Sequence, residues 1–572
     1  MSSAPERWRT ALAAAGLWFP PLAFLLLFYA WPLTRILALS FARTEQGAPL
    51  LAALLSERTL RVLGFTVWQA ALSTLLTLAL GLPGAYLLSH YDFRGKSLFR
   101  ALTAVPFVMP TLVVAAAFNA LLGPRGWLNL GLMSLLRLDR PPIPFANTLA
   151  AILVAHVFYN TTIVLRMVGD FWGRLNPRLA AAARTLGATR WQALWHVTLP
   201  LLSPAVLAAS LLVFLFDFTS FGVVLVLGGP QFATLEVEIF YQTTGLFNLP
   251  LAAALSVLQL ACTLGLTVAY ARLARRVSRP LTGQRLPPRL SGLRTWRTRL
   301  WAGALVVLIT AWLILPLGAL AARSVVRLER DRAQFGEVQR GLTLDFYRAL
   351  NENPRRSLFY APPATALLIS LGYAGATVLL SLTLGLPAAW ALARRTHSTF
   401  ARVVDPLLML PLGTSAVTLG LGFVVALNRP PLDLRASPLL IPLAHTLVAF
   451  PFVVRSLTPA LHSIRPRLRH AAALLGASPW QVVRHVDLPL VGRAVLVAAA
   501  FAFTISLGEF GATALLARPE YPTLPVAIYR FLSRPGGSNY GQALALSTIL
   551  MLFTTAGMLL IERLRIAEVS EF

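Results

Sequence analysis

About a dozen long apolar stretches constrain the fold of this chain more than any other feature. A helix needs about 20 apolar residues to cross the hydrocarbon core of a bilayer, and a backbone within lipid must satisfy its own hydrogen bonds. The sequence therefore predicts an all-α membrane protein with about 12 transmembrane helices. The predicted spans cover residues 15–39, 62–88, 101–122, 147–169, 202–228 and 249–273, and then 299–322, 364–393, 404–427, 437–458, 491–517 and 540–562.

Composition excludes the other broad classes of protein. Of the 572 residues, 57% are hydrophobic and only 13% are charged, against roughly 25% charged in soluble domains. So few charges cannot cover the surface of a soluble globule, and so many apolar residues exclude disorder. The net charge of +28 indicates arginine-rich loops beside anionic lipid rather than a nucleic-acid partner. Cys262 is the single cysteine, which excludes an intramolecular disulfide.

An internal repeat defines the organisation of the chain. When the sequence is shifted by 289 residues, segment 182–201 matches segment 471–490 at 12 of 20 positions, and His156 falls on His445. A register of polar positions this long indicates a tandem duplication of a six-helix unit. An even number of spans makes the two repeats parallel rather than inverted. The predicted parts are a first repeat over 1–273, an arginine-rich linker over 274–298 and a second repeat over 299–572.

The duplicated segment lies between the fourth and fifth spans of each repeat. Alanine and leucine before Gly187 and Gly476 favour a short helix, and each glycine suits its C-terminus. A second short amphipathic helix should follow and end at Pro200 or Pro489. Two short helices joined at a glycine form a compact element for docking a partner. The alternative is an interfacial helix lying on lipid headgroups.

Both segments resemble the coupling loop of permease subunits of binding-protein-dependent ABC importers, with the pattern E-A-A-x3-G-x9-(I/V)-x-L-P. The leading glutamate of the pattern is replaced by Ala181 and by His470. The resemblance implies the type I ABC importer permease fold, with coupling loops at about 174–200 and 463–489. It also implies two copies of a cytoplasmic ATPase subunit and a periplasmic or lipid-anchored substrate-binding protein as partners. The residues that it assigns to ATPase coupling are Ala181, Ala182, Ala183, Gly187, Leu199 and Pro200, and His470, Ala471, Ala472, Gly476, Leu488 and Pro489.

The expected solute follows from finer resemblances. The fused layout and the stretch from Ser220 to Glu236 resemble permeases of thiamine and ferric-iron importers. The stretch from Ser506 to Thr513 also resembles sulfate and molybdate permeases. We expect thiamine or Fe(III), with molybdate, sulfate or a polyamine as alternatives. A secondary transporter driven by an ion gradient is the rival class, but it has no reason to retain two docking loops.

The chain lacks the residues for chemistry of its own. A Walker A loop requires G-x4-G-K-[ST], and the nearest match, Gly95-Lys96-Ser97, has His90 in place of the first glycine. We therefore predict a transport permease with no catalytic residue, no metal site and no bound cofactor, whose ATP is hydrolysed by separate subunits. Because His156 and His445 are duplicated, a shared structural role is favoured over metal binding.

One acid is predicted inside the fifth span of each repeat. Ionised groups at this depth are costly and usually face a partner or a wet cavity. Asp217 and Glu509 are therefore candidates for the translocation pathway, and an ion pair with Arg35 or Arg166 is the alternative. They do not occupy equivalent positions, so a site built on them is asymmetric.

Basic residues in short loops predict the orientation. The linker carries seven arginines and no acid between 274 and 298, whereas the 229–248 loop has no lysine or arginine. Basic loops stay on the cytoplasmic side. This places the linker and both termini in the cytoplasm, and the resemblance to ABC importer permeases implies the inner membrane of a bacterial cell.

Overall fold

The computed structural model describes residues 16–41, 54–277, 291–293, 295–327, 341–352, 362–394, 399–428 and 433–570. Most of the predicted linker and both chain ends lie outside these residues. Within them, eleven helices are long and apolar enough to cross a bilayer, and one bent helix pair adds a twelfth candidate. The prediction of an all-α protein with about twelve spans is confirmed.

The elements of the first repeat follow the chain in this order. They are α1 (Gly16–Ser40), α2 (Glu57–His90), β1 (Tyr91–Asp92), α3 (Lys96–Leu102), α4 (Val105–Val108), α5 (Thr111–Leu122), α6 (Trp127–Leu136), α7 (Leu149–Arg174), α8 (Pro177–Thr185), α9 (Arg190–Phe218), α10 (Gly222–Leu227), α11 (Leu235–Thr244) and α12 (Leu249–Val277).

The elements of the linker end and of the second repeat follow. They are β2 (Ser291–Gly292), α13 (Trp296–Ser324), β3 (Val326–Arg327), β4 (Gly341–Leu342), α14 (Asp345–Arg348), α15 (Pro363–Arg394), α16 (Thr399–Met409), α17 (Ala416–Ala426), α18 (Leu440–Ser463), α19 (Pro466–Leu474), α20 (Pro479–Gly508), α21 (Gly511–Leu516), α22 (Leu524–Leu532) and α23 (Gly537–Ser570). The strands form two short pairs, β1 with β2 in parallel and β3 with β4 in antiparallel.

The third predicted span of each repeat is broken, which corrects the prediction of continuous helices over 101–122 and 404–427. The first break lies at Met109, whose backbone is extended (ψ 133°) because the residue before a proline is driven out of the helical region. In the second repeat the chain bends by 96° between Gly413 and Ala416. There the Ser415 hydroxyl accepts the backbone N–H of Thr418 and begins a new helix.

The fifth predicted spans end earlier than expected. The helix predicted over 202–228 stops at Phe218, and the one predicted over 491–517 stops at Gly508. A short separate helix follows each of them, α10 in the first repeat and α21 in the second. The apolar run therefore continues past a break in the backbone that hydropathy does not reveal.

The described residues form two compact units that combine elements of both repeats. One unit comprises those within Met1–Leu50, Ile239–Val257 and Leu344–Phe572, and the other those within Leu51–Glu238 and Leu258–Thr343. The repeat boundaries at residues 273 and 299 stay a prediction, because the two compact units are divided at other positions in the chain.

Each unit contains the first span of one repeat packed on the third span of the other. In the first unit the hydroxyls of Tyr29 (α1) and Thr414, beside α17, lie 2.7 Å apart. In the second unit the rings of Phe118 (α5) and Trp312 (α13) have centroids 5.9 Å apart. The first span of each repeat therefore belongs to the same compact unit as the third span of the other repeat.

Small residues bring the second and fourth spans together in both repeats. A Cβ added at Gly81 would lie 2.7 Å from Val164, and one added at Gly385 would lie 2.6 Å from Val453. Such close approach is the usual means of helix packing in membranes, where no hydrophobic driving force holds helices together. The Gly-Leu-Pro triplets at 81–83 and 385–387 thus mark equivalent contacts.

Candidate functional site

The first repeated loop, residues 174–200, contains a short helix that ends at a glycine. Asn176 caps the start of helix α8, and its side chain accepts the N–H of Arg178. The helix is followed by Gly187, where φ is +94°, and the N–H of Ala188 donates to the carbonyl of Ala183. This is the hydrogen-bond pattern of a Schellman terminus, for which glycine is the favoured residue. The predicted helix end is confirmed.

The second repeated loop, residues 463–489, adopts the same conformation. Gly476 has a φ of +85°, and the N–H of Ala477 donates to the carbonyl of Ala472 over 3.1 Å. A capping box then begins the next helix in each loop, built by Thr189 with Gln192 and by Ser478 with Gln481. The duplication in sequence is therefore also a duplication of backbone hydrogen bonds.

Large apolar side chains are exposed at matching positions of the two loops. Leu186 and Leu475 are 89% and 88% exposed, and Trp191 and Trp480 are 71% and 69% exposed. Exposed large apolar side chains of this kind occur at protein–protein and membrane interfaces. Each leucine directly precedes the glycine of its loop and each tryptophan follows four residues after it, so both loops expose a leucine and a tryptophan beside the glycine turn.

The prediction that Pro200 and Pro489 end the second short helix is wrong. That helix continues through a π-helical turn, Leu194–Thr198 or Val483–Asp487, into the long fifth helix of its repeat. Each proline occupies the first turn after the π turn. The π turn has already displaced the regular hydrogen-bond register, and the missing proline N–H is tolerated there.

The structure places the predicted coupling residues on these elements as follows. The alanine run lies on the first short helix of each loop, the glycine follows it, and the Leu-Pro pair lies after the π turn. Ala181, Ala182 and Ala183 belong to α8 and Leu199 and Pro200 to α9, whereas His470, Ala471 and Ala472 belong to α19 and Leu488 and Pro489 to α20.

Three further segments lie near the start of the first repeated loop, around Trp172, which comes two residues before it. The ring of Trp172, at the end of α7, lies 5.3 Å from Tyr86 and 5.4 Å from His90, near the end of α2. Trp301 of α13 lies 6.0 Å from Tyr86, and Tyr91 pairs with Ser291 in the described end of the linker. The loop, the basic 90–100 segment and the linker end therefore share one side of this unit.

Asp217 lies in the last turn of α9, as predicted, and is buried in a polar cluster. Its Oδ1 accepts a hydrogen bond from the Asn160 amide at 2.7 Å and lies 3.4 Å from His156 Nδ1. His156 also contacts the hydroxyls of Ser73 and Ser220, at 3.0 and 2.8 Å. Oδ2 of Asp217 has no hydrogen-bond partner among the described residues.

Glu509 does not lie inside the fifth helix, which corrects the prediction. It follows the end of α20 in extended backbone (ψ 125°), in the break before α21. Its carboxylate accepts the N–H groups of Ala512 and Thr513 and the Thr513 hydroxyl. Its Oε2 also lies 3.2 Å from His445 Nε2. The break in the helix is what places the carboxylate at the start of α21.

The two clusters are related by an exchange of side chains around an equivalent histidine. Asp217 corresponds to Ser506 and Ser220 to Glu509 in the 289-residue register, and both serines contact the histidine of their own cluster. The alternative partners Arg35 and Arg166 make no hydrogen bond or ion pair with either acid among the described contacts. The asymmetry expected from the sequence is present in the contacts.

One duplicated contact was missed from the sequence. The N–H of Leu235 donates to the Thr66 hydroxyl, and the N–H of Leu524 donates to the Ser370 hydroxyl, at 3.1 and 2.8 Å. Thr66 and Ser370 are 304 residues apart, the same offset that relates Gly81 to Gly385. A search at this second offset would have found the pair.

Two further candidates from the sequence are a metal site and the fragment that resembles a Walker A loop. Within the described ranges, no group of three or more His, Cys, Asp or Glu side chains could hold a metal ion. Lys96, from the fragment that resembles a Walker A loop, donates through Nζ to the Tyr91 carbonyl at 2.7 Å. Its partial burial lowers the pKa of the ammonium group.

Known proteins similar to this chain are transport permeases. Thiamine transport system permease proteins of Brucella abortus (strain 2308) and Escherichia coli (strain K12) are 29% and 27% identical to it. These alignments cover 93% and 86% of this chain, and 95% and 86% of the relatives. A probable ABC transporter permease protein of Sinorhizobium fredii is 26% identical over 90% of both chains.

A solved structure and a family profile also match this chain. A chain of a bacterial alginate ABC transporter in complex with an alginate-bound periplasmic protein aligns with a TM-score of 0.40 and 20% identity. The alignment covers 48% of this chain and 98% of that chain. The profile of the binding-protein-dependent transport system inner membrane component family matches residues 77–279 and again residues 381–565. This chain therefore belongs to that family of ABC importer permeases, with two copies of the permease domain fused in one polypeptide.

Proposed function

We propose that this permease carries thiamine across a bacterial inner membrane in an ATP-driven importer. The observation that carries the substrate assignment is similarity to thiamine permeases along 93% of the chain. The relatives resemble it over both repeats and not over one motif, so the similarity extends to the residues between the spans.

The two repeated loops are the proposed docking points for two copies of a cytoplasmic ATPase subunit, one on each loop. Two features support this assignment: the loops have the same backbone conformation, and each exposes a leucine and a tryptophan beside its glycine turn. The residues proposed to transmit closure of the ATPase are the alanines, glycines and Leu-Pro pairs named above. Ala181 and His470 lack the carboxylate of the family pattern, so the exposed apolar residues carry more of the contact.

The proposed orientation places both repeated loops, the linker and both termini in the cytoplasm. Within one unit, the first repeated loop lies at the same end as Tyr91 and Ser291, which supports a shared side for the basic segments. Arg58 contacts Glu238 at the opposite end of α2, a helix of 34 residues and about 50 Å. That end would face the periplasmic or lipid-anchored binding protein.

Transport would proceed by alternating access. ATP binds more tightly to the closed ATPase dimer, and only such differential affinity can shift the permease between its two states. The fifth helix of each repeat begins in the repeated loop and runs on into the membrane. A displacement of the loop by the ATPase would therefore move a transmembrane helix directly.

We assign the pathway acid to Asp217 before Glu509. Both oxygens of Glu509 accept hydrogen bonds from Ala512 and Thr513, so its charge is already compensated by the start of α21. Asp217 keeps one carboxylate oxygen without a hydrogen bond in the described structure. A buried carboxylate interacts with a cation more strongly than in water, although its own desolvation offsets part of this gain. The thiazolium ring of thiamine is such a cation, and Fe(III) or a polyamine would be favoured by the same charge.

Uptake of labelled solutes tests the proposal. Cells carrying the chain with its neighbouring ATPase and binding-protein genes should accumulate thiamine, whereas iron, polyamine, molybdate and sulfate should not accumulate. Uptake should stop on ATP depletion and persist when a protonophore removes the proton gradient. Accumulation of molybdate or sulfate alone would overturn the cation assignment, and uptake that follows the proton gradient would favour a secondary transporter. Purification in mild detergent should recover an ATPase with the permease.

A further inference from the structure

Asp487 is a fully buried carboxylate at the end of the second repeated loop. It is the last residue of the π turn that leads into the membrane part of α20, and its side chain has 0% exposure. Oδ1 accepts a hydrogen bond from Arg469 Nε at 2.7 Å, and Oδ2 lies 3.6 Å from Arg394 Nη2. A buried acid without such partners would carry a large desolvation penalty.

These contacts connect three separate elements. Arg394 is the last residue of α15, and its guanidinium group lies over the Trp390 ring, 4.7 Å from the centroid. Arg469 lies on α19, the short helix before the glycine turn. Asp487 therefore joins α15, α19 and α20 of the second repeat through a single side chain.

In the described part of the chain, the first repeated loop shows no equivalent ion pair. The 289-residue register places Ala180 at the position of Arg469 and Thr198 at that of Asp487. The 304-residue register of the second spans places His90 at the position of Arg394. The Thr198 hydroxyl donates to the Ala193 carbonyl within its own turn, at 3.4 Å, and His90 contacts the ring of Trp172. The two loops therefore have the same backbone conformation but differ in the side-chain contacts that attach them to neighbouring helices.

We propose that Asp487, with Arg469 and Arg394, fixes the second repeated loop to the fifth helix, so that the two loops transmit ATPase closure unequally. This inference rests on the proposed function, because it assigns positioning residues to the coupling step. The loop that lacks the family's glutamate at His470 carries, at the adjacent Arg469, an internal ion pair. The ion pair between Arg469 and Asp487 holds α19 rigidly against α20, so that a displacement of α19 by the ATPase also moves α20.

Amide hydrogen exchange of the purified full-length chain tests the mechanical part without any solute or partner. In Asp487→Asn and in Arg469→Gln, exchange of the amides of 466–474 should rise by about tenfold or more, because removing one member of a buried pair leaves the other uncompensated. Exchange in 177–185, the first loop, should stay at the wild-type rate. The matched control is Asp170→Asn, which breaks the half-exposed ion pair with Arg100 and should leave both segments unchanged.

A double variant separates a pair from two independent residues. If Asp487 and Arg469 act together, the second substitution should add little to the effect of the first, because interacting sites are not additive. Additive increases, or wild-type exchange at 466–474 in both single variants, would overturn the link. Arg469→Lys keeps the charge and should recover part of the protection.

Transport measurements test the functional part. In the complete importer, Asp487→Asn should lower thiamine uptake by about fivefold or more while the ATPase still co-purifies, so that more ATP is hydrolysed per thiamine carried. Equal losses of uptake and of ATPase binding would indicate a merely structural role and overturn the assignment. Should the wild-type chain carry another solute, the same ratio is measured with that solute, so a wrong substrate does not obscure the result. If Asp487→Asn does not reach the membrane, Arg469→Gln on the more accessible partner gives the same comparison.

Discussion

Oδ1 of Asp217 lies 3.4 Å from Nδ1 of His156. In the other repeat, the equivalent histidine meets its acid through the opposite ring nitrogen, with His445 Nε2 3.2 Å from Glu509 Oε2. A duplicated core has thus kept its histidine and exchanged the positions of acid and serine around it. Asp217 keeps one oxygen without a hydrogen bond among the described residues, whereas Glu509 caps the start of α21. We therefore expect the two carboxylates to have different roles.

Replacing Asp217 by Asn should reduce thiamine uptake by about tenfold while leaving the amount of inserted protein unchanged. Asparagine keeps the shape of the side chain and an oxygen for the Asn160 amide, so folding is preserved while the charge is lost. The measurement is initial uptake of labelled thiamine, normalised to permease in the membrane. Wild-type uptake by Asp217→Asn would remove this residue from the pathway.

Replacing Glu509 by Gln should instead lower the stability of the protein, by about 1–3 kcal/mol. Glutamine keeps one side-chain oxygen, so it can accept only one of the backbone N–H groups of Ala512 and Thr513, and its N–H₂ group faces the other as a second donor. The measurement is the thermal unfolding midpoint in detergent, compared with Asp217→Asn as the control. A midpoint equal to wild type, together with a selective loss of thiamine uptake, would contradict the capping role and favour Glu509 as the pathway acid.

The effect of substituting Gly187 or Gly476 should depend first on the positive φ at these two positions. A positive φ costs an alanine or valine about 1 kcal/mol or more, whereas Asn tolerates it better. An added Cβ at either glycine meets nothing within 4 Å, so the chain itself has room for a side chain. Asn should therefore retain most uptake, Ala less, and Gly476→Glu almost none, because the larger side chain would face the docked ATPase. Transport at the wild-type rate by Gly476→Glu would exclude this surface from docking.

Cysteine labelling checks the proposed orientation. In a Cys262→Ala background, Leu246→Cys should react with a membrane-impermeant maleimide in whole cells, because Leu246 is exposed in the loop that lacks basic residues. Ser291→Cys, in the described end of the linker, should react only after the membrane is opened. Labelling of Ser291→Cys in intact cells would reverse the topology.

Packing between the second and fourth spans should make Gly81 sensitive to a single methyl group. Gly81→Ala places a Cβ 2.7 Å from Val164 and should cost about 1–3 kcal/mol through overpacking. Gly64 lies on the same helix with nothing within 4 Å of an added Cβ. Gly64→Ala is therefore the matched control and should be neutral or slightly stabilising. Equal thermal midpoints for the two variants would contradict the close contact.

Local features of the fold could be predicted because they depend on neighbouring residues in the chain. Apolar length indicates a span, and an alanine run before Gly187 indicates a helix and its end. The breaks near Met109, Thr219 and Glu509 were missed because the hydrophobicity of the chain continues across them. The π turns before Pro200 and Pro489 were missed for a related reason: proline alone indicates a helix end, whereas a displaced hydrogen-bond register accommodates it.

The sequence by itself determined that the chain is a polytopic membrane protein, that it is a duplication, and where the two repeated loops lie. Only the tertiary structure decided that each first span packs on the third span of the other repeat, that Asp217 and Glu509 meet histidines rather than arginines, and that Asp487 joins three elements. The physical reason is that lipid leaves every face of an apolar helix equally acceptable. Which faces meet depends on small residues and buried polar groups far apart in the chain, whose pairing is visible only once the helices are packed.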